Sequence, residues 1–105
     1  MKSFRTALLI SFSFVAAAHA DTAEIWKSKC KSCHGDTGKG DTKQGKKEKV
    51  EDMTVAAWHT KWTDEKIKTV ILEGSTDNKK MKPFKDKLSA EEVDGLVKHI
   101  RTFKP

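Results

Sequence analysis

The sequence predicts an all-α domain, and three observations carry that reading. Ser89-Ala90-Glu91-Glu92 has the form of a capping box, and Val93, Leu96, Val97 and Ile100 follow at the i, i+3, i+4, i+7 spacing of one buried helical face. Thr63 suits the N-cap of another helix, with Asp64 and Glu65 set against the positive end of its dipole. Ile67, Val70 and Ile71 then recur at helical spacing before Gly74, which sits where a C-terminal cap belongs. The third observation is negative: strand signals are close to absent.

The other elements follow in order. Asp21 with Glu24 resembles a capping pair, opening a helix that runs through Ile25 and Trp26 to Cys33. Glycines at 35, 38, 40 and 45 are expected to end it and to form a loop, and Lys46-Lys47-Glu48-Lys49 reads as solvated surface. Thr54 to Lys61 reads as a short helix carrying Val55, Ala57 and Trp58. The stretch from Ser75 to Leu88, which holds Met81, Pro83 and Phe84, has no helical period. No repeat or low-complexity linker divides residues 21–105, so they form one domain.

The first twenty residues read as a cleaved secretion signal. Lys2 and Arg5 form its charged end, Ala7 to Ala16 its apolar core, and Ala18-His19-Ala20 a small-x-small cleavage site. The apolar run is too short for a membrane span, and no later segment resembles one. The signal holds two of the 21 basic residues and none of the 15 acidic ones, so 19 basic residues face 15 acidic ones and the remainder carries +4. Such a bias suits docking onto an acidic partner, although any single lysine is more simply explained by solubility. The remaining 85 residues are few for an aliphatic core, and domains of this size usually need a staple.

Cys30-Lys31-Ser32-Cys33-His34 supplies one. The C-x-x-C-H spacing reads as a c-type haem attachment site: two thiols on one side of a turn can add to the haem vinyl groups, and the adjacent imidazole can reach the iron. Both cysteines of the chain are spent in it. A thioredoxin-like pair would need a βαβ context, and structural zinc would need a fourth ligand from a further closely spaced pair. A disulfide across so small a loop would leave His34 unexplained.

With these residues in view, the chain resembles a small bacterial class I cytochrome c over essentially all of residues 21–105. Trp26, four positions before Cys30, matches the family's N-terminal helix. Lys79-Lys80-Met81-Lys82-Pro83-Phe84 resembles the loop that supplies the distal iron ligand, and Leu96-Val97-Lys98-His99-Ile100-Arg101 the C-terminal helix. The resemblance implies about four helices wrapped around one haem c, with the terminal helices crossing at right angles. It implies that Cys30 and Cys33 hold the haem, that His34 is the proximal ligand, and that Met81 is the distal one. Three departures stand out. Thr22 occupies a position where the family usually has glycine at the helix crossing. His99 replaces the aromatic partner of Trp26. No proline follows the motif to accept the N–H of His34, so an acceptor is sought near Gly45 instead. Met53 is expected to fill the core, His59 and His99 to pack helices, and Trp58 and Trp62 to shield the haem or bond a propionate.

The function this implies is a soluble periplasmic one-electron carrier rather than an enzyme. Its expected partners are acidic redox proteins, such as a respiratory complex, reductase or oxidase, and not nucleic acid. It is expected to be a monomer without stable membrane insertion. The alternative is a haem protein with a displaceable sixth ligand, acting as a small-molecule sensor or a peroxidase-like enzyme; a haem-free helical binding module is a third reading.

Overall fold

The computed structural model describes residues 21–76 and 80–105. The expected secretion signal and Lys79 lie outside the described residues. Five helices and no strand are present among those described, one helix more than the sequence leads one to expect.

Helix α1 (residues 22–34) is continuous but not uniform. Regular turns at Thr22–Ile25 and Lys31–His34 flank a π-helical stretch, Trp26–Cys30, in which the Lys31 N–H reaches back to the Trp26 carbonyl. The stretch ends where the cysteine motif begins. Asp21 caps the helix weakly, accepting from the Ala23 N–H at 3.4 Å. The chain leaves through Gly35 at φ 80°, whose carbonyl accepts the indole N–H of Trp26 at 2.9 Å. Trp26 is thus both a core residue and a brace on the end of its own helix.

Helix α2 (Lys43–Glu48) replaces the second half of the expected loop. Its N-cap Thr42 accepts from the Gly45 N–H and donates its hydroxyl proton toward the carbonyls of Ser32 and Cys33. Gly45, expected to break structure, lies buried inside this helix. A Cβ there would collide with the Cys33 carbonyl and stand 2.6 Å from that of Gly40. Its lack of a side chain lets α2 lie against the motif. The lysines of α2 do face solvent, as expected.

Helix α3 (Ala56–Lys61) begins two residues later than the sequence suggests, because the Asp52 carboxylate holds Thr54 in a turn through both its N–H and its hydroxyl. Val55 is consequently left at the N-cap, 47% exposed, instead of on a buried face. Trp58 is buried. Helix α4 (Asp64–Glu73) is capped by Thr63, which accepts from the Lys66 N–H, and it ends at Gly74 with φ 80°. Helix α5 (Ala90–Arg101) has the complete capping box: Glu92 N–H to Ser89 Oγ at 3.1 Å and Ser89 N–H to Glu92 Oε1 at 2.9 Å. Val93, Leu96, Val97 and Ile100 are all within 5% of full burial.

The terminal helices pack together, and the small residue at their contact lies on α5. Gly95 faces Thr22, whose hydroxyl would be 2.6 Å from a Cβ placed there. Trp26 packs against His99 at 5.3 Å and edge-on to Phe103 at 5.1 Å between ring centroids. Between α4 and α5 the chain doubles back along the end of α4: the N–H groups of Phe84 and Lys85 donate to the carbonyls of Ile71 and Leu72.

Helix propensity alone would make Gly45→Ala stabilising by roughly 0.5–1 kcal/mol. The close approach of two backbone carbonyls reverses the sign, and a loss of about 1–3 kcal/mol is expected from overpacking. The urea midpoint of the variant checks this.

Candidate cofactor cavity

The apolar faces of α3, α4 and α5 meet around a cavity of about 810 Å³, within the roughly 300–1,000 Å³ range of small-molecule and cofactor sites. Ile67, Val70, Ile71, Leu96 and Ile100 line it, together with Trp26, Trp58, Trp62 and Phe84. Val70, the least buried member of the α4 stripe, faces this space rather than another helix. The four residues singled out by the sequence, Cys30, Cys33, His34 and Met81, all line the same cavity. Met53 does too, and so do charged groups at the rim, among them Lys29, Glu48, Lys61 and Lys82.

Each donor has a definite environment. Burial pushes the Cys30 thiol up to about 11, only partly offset by the positive charge of Lys29. No disulfide joins the two cysteines. A protonated, buried thiol is the reverse of the acidified nucleophile that disulfide exchange requires. No cluster of three His, Cys, Asp or Glu suited to a metal ion occurs among the described residues, which leaves structural zinc without support.

Burial also lowers the pKa of His34, keeping its imidazole neutral and its lone pair available. Its Nδ1 is buried and has no partner among the described residues. The acceptor sought near Gly45 is therefore not provided, because the carbonyls there are turned to other donors: the Gly45 carbonyl accepts from Val50 and that of His34 from Gly40. The ring is steadied by Trp26, with centroids 5.8 Å apart.

Met81 is held by a residue that the sequence reading passed over. Its N–H donates to Ser75 Oγ at 3.0 Å, and its carbonyl accepts from the Ser75 N–H at 3.0 Å. Gly74 lies beside this pair, where a Cβ would be 2.6 Å from the Met81 carbonyl. On the opposite rim Lys80 reaches Glu48 at 3.3 Å, so an ion pair ties the Met81 segment to α2. A neutral imidazole, a thioether, two cysteine thiols and an apolar wall form a donor set that fits an iron porphyrin.

Trp58 and Trp62, expected to shield the haem or bond a propionate, both line the cavity. Trp58 is buried in the wall and stacks on Trp62 at 5.9 Å. The indole N–H of Trp62 is given to Glu51 Oε2 at 3.0 Å, and Lys61 meets the other oxygen at 3.1 Å. Among the described residues no helix is long and apolar enough to cross a membrane.

Comparison with known proteins agrees with this geometry. The family described as cytochrome c oxidase, cbb3-type, subunit III matches residues 17–100. Among solved structures, the KustC0563 c-type cytochrome is similar at 37% identity and a TM-score of 0.74, over 82% of this chain and 100% of that one. No curated protein matches the chain.

Burial pushes the Glu51 carboxyl up, but the bonds from Lys61 and Trp62 and the charge of Lys61 outweigh it and hold the group below its ordinary value of 4.5. A carbon-detected NMR titration should find its midpoint under that value, with Lys61→Ala moving it upward. Because the folded value is the lower one, the carboxylate's contribution to stability is complete above about pH 4.5 and is lost as pH falls through the folded value. The stability deficit of Glu51→Gln should accordingly vanish in acid.

Proposed function

Because the chain belongs to the c-type cytochromes, we propose that it is a periplasmic one-electron carrier with one haem c that would be attached through Cys30 and Cys33 and ligated by His34 and Met81. The observation that carries this reading is the convergence of those four side chains on a single apolar-walled cavity. Bound there, haem iron would supply reversible exchange of one electron between its ferric and ferrous states.

The chain's own residues set the conditions for that exchange. His34 is kept neutral by burial and so ready to act as a ligand. Met81 is placed by Ser75 and Gly74 on a segment outside any helix. Met53 also lines the cavity, but it is 8% exposed and packed within the core cluster, so packing is its proposed role. A thioether ligand and an apolar wall both favour the less charged ferrous state, which raises the potential. Held by His34 and Met81, a haem would have no coordination site left for substrate, and on that ground the protein is read as a carrier rather than an enzyme. The leading twenty residues would direct export, with cleavage before Asp21.

Docking is assigned to one side of the cavity mouth. Lys27 and Lys31 of α1 join Lys43 and Lys47 of α2 around an open groove of about 590 Å³ that contains no carboxylate. Ser32 and Gln44 line both groove and cavity. Lysines on both sides carry partners, Lys31 with Asp36 at 3.2 Å in the groove, and on the Met81 side Lys80 with Glu48 at 3.3 Å and Lys85 with Glu73 at 3.9 Å. The groove would receive the acidic face of a redox partner.

The attachment and the ligands are tested together on protein made in a host with haem-ligation machinery. Intact mass should exceed the chain mass by one haem, and Cys30→Ala with Cys33→Ala should abolish the adduct and leave a protease-sensitive chain. Met81→Ala should keep the adduct, lower the potential and admit carbon monoxide, whereas Met53→Leu should change neither spectrum nor potential. Loss of the sulfur-to-iron band in Met53→Leu instead would overturn the ligand assignment, and carbon monoxide binding to the unaltered protein would favour a sensor or peroxidase.

Electron-transfer rates to a partner should fall about tenfold or more between low and physiological salt, because the field of such a patch acts on association. Lys43→Gln with Lys47→Gln should lower the low-salt rate and flatten that dependence in stopped-flow measurements.

A further inference from the structure

One buried-edge cluster outside the cavity is not used by the mechanism above. The Arg101 guanidinium, at the last turn of α5, meets two other helices at once. Its Nε and Nη2 donate to Asp64 Oδ1 at 2.9 and 2.8 Å, at the start of α4. Nη2 also donates to the Trp62 carbonyl at 2.7 Å. Nη1 lies 2.9 Å from Nδ1 of His59 and 3.4 Å from the His59 carbonyl. On the far side of the ring, His59 Nε2 lies 2.6 Å from the Met53 carbonyl.

These partners leave the imidazole one protonation state. Guanidinium is donor-only and stays charged, so Nδ1 must accept. A carbonyl is acceptor-only, so Nε2 must carry the hydrogen. A second proton on Nδ1 would set N–H against N–H and place two positive charges about 2.9 Å apart. The Asp64 carboxylate faces Arg101 and is already shared by two of its N–H groups. The nearest charges on the neighbouring segments are directed elsewhere, Lys61 to Glu51 and Asp52 to Thr54. Trp58 stands edge-on to the ring with centroids 4.9 Å apart.

What the cluster holds in place is the cavity wall. Met53, Trp58 and Trp62 all line the cavity, while His59 and Arg101 do not. We propose that His59 and Arg101 are positioning residues for the redox site: they hold the Met53–Trp58–Trp62 wall only while His59 is neutral, and so couple the potential to pH from outside the cavity. This rests on the carrier reading above. Acidification protonates Nδ1, the Nη1 contact opens, and the bonds from Arg101 to the end of α3 weaken with it. The wall then admits more water, and the balance between ferric and ferrous states shifts.

The test uses the holoprotein across roughly pH 5 to 8, the interval in which histidines change charge. Imidazole nitrogen NMR should show His59 with hydrogen on Nε2 at the alkaline end. Spectroelectrochemistry should show the midpoint potential moving in step with the His59 titration. His59→Gln offers an amide N–H to Met53 and an amide oxygen to Arg101 but does not titrate. It should keep the alkaline-end potential and lose that step. His59→Leu should resemble the acid end at every pH. His34 and His99 are intact in both variants, so a pH step that survives unchanged in His59→Gln would assign it to them and overturn the proposal. Failure to find a reducible cofactor would overturn the carrier reading and the redox half of this proposal together. The latch itself would then be decided by tryptophan fluorescence, where the same pH step in wild type and His59→Gln refutes it and its loss in the variant supports it.

Discussion

The indole of Trp26 makes contact with each part of the molecule that has to be held in register. It lies tilted against His34 of the motif and His99 of α5, meets Phe103 beyond the end of α5 in edge geometry, and ties down the Gly35 carbonyl at the exit of α1 through its N–H. One side chain at 4% exposure therefore joins α1 to the end of α5 and steadies the histidine of the motif. Aromatic contacts of this geometry contribute about 0.5–1.5 kcal/mol each beyond the area they bury. Their larger effect is positional, since an imidazole without a hydrogen-bonding partner has only packing to fix its ring.

The opposite half of the cavity is organised by polar ties rather than aromatic ones. Ser75 pins Met81 twice, Glu48 reaches Lys80, Glu51 gathers Trp62 and Lys61, and Arg101 binds α3 to α4 and α5. Most of these are exposed pairs, worth little singly. They act on short segments with few buried residues of their own, where modest bonds decide which conformation is occupied. The molecule thus divides into a packed hinge of terminal helices and a tied rim of loops, with the donors of the candidate site drawn from both.

How much of this could be read from the sequence follows from the range of each determinant. Helices α4 and α5 were legible because Thr63, Ser89 and Glu92 act within three residues of themselves and the apolar stripes repeat locally. The motif was legible because its five residues are contiguous. Helix α2 was not, since Gly45 reads as a breaker until one knows that the Cys33 carbonyl passes over it. The small residue of the helix crossing was sought near Thr22 and lies across from it at Gly95, a choice that only the packed pair can make. Ser75 looked like ordinary loop polarity, and Arg101 and His59 are 42 residues apart. Pairings of that kind leave no local periodicity to detect.

The π-helical stretch at Trp26–Cys30 has a consequence for how this chain tolerates changes of length. Such a stretch behaves as a helix carrying one residue more than its turns require. Because the wide turn takes up that residue locally, removing one residue between Trp26 and Cys30 would let the segment relax into an ordinary helix with the surfaces before and after it close to their present phase. Trp26 would stay against α5 and the thiols would stay on the cavity side. The stretch is therefore slack between two surfaces of one helix, whereas the same deletion in the regular turns of α4 or α5 would swing one surface away by about 100°.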